Sequence, residues 1–81
     1  MSKTPDDICR DEEDPTISLH IETRNGAVVI RGDAKTLRFL ASIIEAQANC
    51  RGRGFGISPK GAGRAWFNPE SSLGIYLETT D

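Results

Sequence analysis

The residues of this 81-residue chain best suited to chemistry are one histidine, His20, and two cysteines, Cys9 and Cys50. A general base needs a nucleophile or a polar cleft within reach, and the sequence places only Glu22, two positions on, beside His20. In an alternating strand the two share a side, which describes a solvated histidine next to a carboxylate. Ser58, Ser71 and Ser72 lack the G-x-S-x-G setting of a nucleophile elbow. The cysteines have no C-x-x-C spacing and a single histidine to help them, so neither a metal site nor a cofactor is expected. Both should be free thiols in a reducing compartment, with Cys50 packing as a small apolar side chain. No catalytic constellation emerges, and a non-enzymatic protein is the expectation.

A second candidate chemistry lies in residues 51–64, RGRGFGISPKGAGR, which hold five glycines and four cations. Glycine lets backbone N–H groups approach a phosphate, while Arg51, Arg53, Lys60 and Arg64 supply charge and Phe55 or Trp66 could stack on bases. The formal phosphate motifs fail, because neither G-x-G-x-x-G nor G-x-x-x-x-G-K-[ST] is present. A basic surface connection is the plainer reading, and a nucleic-acid or phosphate module is kept as the alternative function.

These residues must be positioned by a scaffold, and its one long periodic stretch is residues 32–50, GDAKTLRFLASIIEAQANC. The spacing predicts a helix from about Ala34 to Ala48, capped by Asp33 and stopped by Asn49 and Gly52. At 100° per residue, Leu37, Ala41, Ile44 and Ala48 share one side with Leu40 at its margin, and this side is expected to face the core. A second apolar line, Phe39, Ile43, Ala46 and Cys50, runs along roughly the opposite side and needs a cover. Two covers are open: the segment Ala65–Phe67 or the chain around Phe55 folding over it, or a protein partner, another copy of the chain included.

Before the helix, Ile17, Leu19 and Ile21 alternate with Ser18, His20 and Glu22, the period-two pattern of a strand with one buried face. Asn25-Gly26 suits a tight hairpin turn, so Ala27–Arg31 should return antiparallel, with Val28 and Ile30 on the buried face and Val29 on the other. After the helix, Gly54–Ser58 reads as a short strand with Phe55 and Ile57 on one face, ended by Pro59. Residues 60–64 read as a flexible loop, and Trp66 and Phe67 as rings closing one end of the core. Residues 72–78 form the last strand, with Leu73, Ile75 and Leu77 inward. The expected fold is α+β of ββαββ order: a mostly antiparallel sheet of three to four strands with one helix on one face.

Residues 1–15 carry six acids against Lys3 and Arg10, and read as a disordered acidic tail ahead of a single domain over residues 16–81. The net charge of −2 leaves the body only mildly basic, too little for strong non-specific nucleic-acid binding. No apolar run is long enough to span a membrane and no secretion signal is recognisable, so a cytoplasmic location is expected. A core this small commonly gains from self-association, which makes a homodimer plausible.

With these segments placed, the chain resembles the small bacterial family of predicted immunity proteins known as Imm32 and its uncharacterised relatives. The matching features are the Ile30-Arg31-Gly32-Asp33 junction, the spacing Leu37, Leu40, Ala41, Ile44, Ala48, the pair Ser58-Pro59, and the final Ser72-Leu73-Gly74-Ile75-Tyr76-Leu77-Glu78. The likeness covers about residues 26–78. It implies a strand–helix–strand fold and a protein that neutralises a cognate toxin by binding it. The chain differs at its third strand, where Gly54, Phe55 and Gly56 stand in place of a histidine-containing segment, so no contact residue is carried over.

Overall fold

The computed structural model describes residues 3–50 and 54–80. Its local elements follow from local chemistry. Arg24 and Ala27 close a hairpin whose turn residues Asn25 and Gly26 have φ of 52° and 79°, both in the left-handed region that matches strand twist. Strands β1 (His20–Arg24) and β2 (Ala27–Arg31) therefore pair antiparallel, with Ile21 opposite Ile30. Helix α2 spans Ala34–Ala48, and the Asp33 carboxylate caps it by accepting the Thr36 N–H at 2.9 Å. Strands β3 (Phe55–Ile57) and β4 (Ile75–Leu77) pair antiparallel, and a 3-10 turn occupies Arg64–Trp66.

The fold class is α+β, but the expected single sheet is corrected to two separate two-stranded ribbons, β1–β2 and β3–β4. Backbone hydrogen bonds around Leu19 hold them in one core: Leu19 N–H donates to the Trp66 carbonyl and Asn68 N–H to the Leu19 carbonyl, both at 2.7 Å. Ile21 is fastened next to it. Its N–H donates to Ser71 Oγ at 2.9 Å, and its carbonyl accepts from the N–H groups of Ser72 and Leu73, each at 3.1 Å. One edge of β1 is thus taken by β2 and the other by the chain around Phe67 to Leu73. Ser71 is buried and satisfied, a small polar clip inside an apolar setting.

A second correction concerns the N-terminal stretch. Where a disordered tail is expected, helix α1 (here numbered first in the chain) spans Pro5–Asp11 and packs on α2. Thr4 and Asp7 form a capping box, with Asp7 N–H donating to Thr4 Oγ1 at 3.1 Å and Thr4 N–H to Asp7 Oδ2 at 3.0 Å. Pro5 opens the helix, where its missing N–H costs nothing, and Pro5 and Cys9 are buried with Ile8 against the core. The fold therefore has two helices rather than one.

The core joins Cys9, Ile17, Leu19, Ile21, Phe39, Leu40, Ile43, Phe55, Ile57 and Phe67. The inward placement expected for Ile17, Leu19 and Ile21, and for Phe55 and Ile57, holds. Val28 and Ile30 do not follow: both lie on the Ile21 side of the hairpin by register but are exposed, because the hairpin extends past the elements that cover it. Leu73 is likewise exposed, its N–H turned to Ile21 while its side chain is not covered. The loop after β3 is hydrogen-bonded, with Ser58 N–H donating to the Ala62 carbonyl at 2.8 Å. Gly63 there has φ of 81°, and a Cβ would lie 2.6 Å from Ile57 Cγ2, so glycine is required. Among the described residues, no helix is long and apolar enough to cross a membrane.

Candidate interaction surface

The orientation of α2 decides the candidate site, and it is the reverse of the expected one. Phe39, Ile43 and Ala46 are buried, and the Phe39 ring meets the Trp66 ring at 5.5 Å between centroids. Of the two covers left open for this line, the aromatic segment is the one found, and α1, expected to be disordered, packs on α2 as well. The proposed partner-binding set of Phe39, Ile43, Ala46 and Cys50 is therefore corrected: the first three are core and Cys50 is half-buried. The expected core side is the one in water. Leu37 is 43% exposed and Ile44 48%, and Ala41 and Ala48 are exposed with them, whereas Leu40 at the margin is buried.

This orientation follows from two polar residues that share the inner side. Thr36 is buried, and its Oγ1 accepts the Ser18 N–H at 3.2 Å, tying the start of α2 to the approach of β1. Gln47 is buried, and its Nε2 donates to Thr79 Oγ1 at 2.9 Å while Thr79 Oγ1 donates to the Gln47 carbonyl at 2.7 Å. Each end of the helix is so pinned through a hydrogen bond of a buried side chain, which would cost about 1–3 kcal/mol if left unmade. Rolling the helix to bury Leu37 and Ile44 would break both ties.

The outward stripe is spaced as a heptad seam: Leu37, Ala41, Ile44 and Ala48 are four, three and four residues apart and fall within about 60° of arc. On one side it is bordered by Arg38 and Glu45, both exposed. Beyond them an open cleft of about 700 Å³ runs between α1 and α2, lined by Ile8, Arg38, Ala41, Ser42 and Glu45 among others. The cleft joins the stripe through Ala41, making one mainly apolar surface with charge along its border.

The chemistry-bearing residues lie elsewhere. His20 Nε2 and Glu22 Oε1 are 2.6 Å apart, and the His20 side chain is more covered than a solvated strand residue would be. The His20 ring, then the Arg24 guanidinium at 3.1 Å, hold the Glu22 carboxyl below the ordinary carboxylate range. Ser18 lines the same shallow cleft as His20 with no hydrogen bond between them, and His20 is oriented by the Glu22 carboxylate. Both cysteines are free, and burial followed by the Asp6 carboxylate pushes the Cys9 thiol up to about 11, which makes it a poor nucleophile. Of the four cations in the alternative phosphate site, Lys60 and Arg64 are exposed on the loop after β3, and Arg51 and Arg53 lie outside the described residues.

The heptad seam on α2 is legible in the sequence, since its spacing is regular; its direction is not, because two apolar lines compete. The contribution of α1 to the cleft could have been found from Thr4-Pro5-Asp6-Asp7, a capping-box spacing, followed by apolar Ile8 and Cys9. Compared with protein-family models, curated proteins and solved structures, the chain matches none of them.

Proposed function

We propose that this chain is a small, non-enzymatic protein-binding domain whose binding face is the outward stripe of α2. One observation carries the reading. A surface helix already anchored through Phe39, Ile43 and Ala46 should be polar on its other side, and this one instead presents Leu37, Ala41, Ile44 and Ala48 to solvent at regular seam spacing. The border of Arg38 and Glu45 gives such a face selectivity without interrupting it. A toxin as the partner is the form of this role that the immunity-family resemblance implies.

A photo-reactive residue at position 41, in living cells, tests the reading. Ala41 is exposed at the centre of the stripe, so the substitution leaves the core intact. Adducts to a polypeptide are expected from position 41 and not from position 70, an exposed site outside α2. Equal labelling from both positions, or none from position 41, would reject the α2 face.

A further inference from the structure

Resting on that reading, we propose that the occupant of the α2 face is a second copy of this chain, its α2 running antiparallel to the first across a two-fold axis. Size complementarity is one support. In a heptad frame Leu37 and Ile44 take one core position and Ala41 and Ala48 the other. Antiparallel helices centred between Ser42 and Ile43 bring Ala41 opposite the second copy's Ile44, and Leu37 opposite the second copy's Ala48. Every large side chain then meets a small one, which permits close helix approach.

Charge is the second and independent support. Arg38 and Glu45 stand on the same border of the stripe, two turns apart, about 10.5 Å along the axis. That separation keeps them from pairing within one chain, and neither enters an ion pair among the described residues. A two-fold axis across antiparallel helices sets like borders together, so Arg38 of each copy faces Glu45 of the other and the pair forms twice. Parallel helices would set this border against the opposite one, where Leu40 and Gln47 are buried and offer no charge. The stripe is therefore self-complementary in one orientation only.

Light scattering across a concentration series from about 1 µM to 1 mM tests this. The mass should rise from 8.8 kDa toward twice that value. Ala41→Glu and Ile44→Glu, both at exposed positions, should hold it at the monomer value with an unchanged circular dichroism spectrum. Arg38→Glu or Glu45→Arg alone should weaken association about tenfold, and the double reversal should restore it to within about twofold. A mass that stays at the monomer value, a double reversal no better than the singles, or a dimer lost on Val28→Lys but indifferent to Ile44→Glu would each overturn the proposal. A constant monomer that still yields adducts to another polypeptide from position 41 overturns self-pairing and leaves the protein-binding reading standing. A constant monomer without adducts ends both.

Discussion

Ile43 and Ile44 are chemically identical neighbours on the same helix, about 100° apart, one facing the core and the other water, and truncating each to alanine tests how α2 is turned. Ile43 is fully buried in the main core. Removing three of its carbons forfeits about 2.4 kcal/mol of transfer free energy at about 0.8 per methylene, and an unrelaxed cavity of roughly 70 Å³ adds about 1.7. Alanine's better helix propensity returns about 0.4, leaving a loss near 3.7 kcal/mol. Ile44 is 48% exposed, so about half of its transfer term, about 1.2 kcal/mol, is at stake, and after the same propensity gain the net loss is below about 1 kcal/mol. Against a total of about 4–12 kcal/mol for a chain of this length, the first variant is crippled and the second is not. Urea unfolding read through the chain's one tryptophan, Trp66, which packs on Phe39, measures both. With a slope near 1 kcal/mol per molar, the midpoints should fall by about 3.7 M and by less than about 1 M. Working at low micromolar protein keeps self-association out of the Ile44→Ala result. Equal losses, or a larger one for Ile44→Ala, would refute the orientation and the surface built on it.

Thr4→Ala removes the capping box, about 1 kcal/mol, and should raise the native-state labelling rate of Cys9 about fivefold as α1 opens more often. Since the folded Cys9 thiol titrates near 11 against an ordinary value of 9.0, the fold holds its proton longer than the unfolded chain does. Its stability contribution is whole below pH 9 and is lost as pH rises through about 11, which alkaline denaturation midpoints of the parent and Cys9→Ala should show. Ser71→Ala strands the buried Ile21 N–H at a cost of about 1–3 kcal/mol, and amide exchange at Ile21 should accelerate accordingly. The Asp33 carboxyl lies below its ordinary value because Thr36 hydrogen-bonds it, so its contribution is present above the unfolded value and is lost as pH falls through the folded one. Asp33→Asn should keep the cap while flattening that acid limb in an unfolding series against pH.

Much of the local structure could be read from residues a few positions apart. Asn25-Gly26 between alternating runs specifies the hairpin, and Asp33 with the apolar periodicity specifies where α2 starts and ends. The roll of that helix could not be read in the same way. Counting apolar residues favours the Leu37 side, because Thr36 and Gln47 dilute the other; their partners, Ser18 and Thr79, lie far away in sequence, and only the assembled fold supplies them. Acidic composition hid α1, although one turn of spacing in Pro5, Ile8 and Cys9 carried its buried side. Strands of three residues, such as β3 and β4, carry too little pattern to say which neighbour they join, so the sequence points to one sheet where the fold has two ribbons. On α2, then, both apolar stripes are legible from spacing, and which of them is buried is not.

Strand β2 pairs only with β1 among the described residues, so the backbone donors and acceptors along the outer side of Ala-Val-Val-Ile-Arg have no ladder to join. Such a valine-rich rim is where edge-to-edge pairing into fibres begins when a protein is heated or concentrated. Two neighbours keep it short: the tight Asn-Gly corner at one end and the cation of Arg31 at the other act as gatekeepers, leaving too few residues for a growing filament to grip.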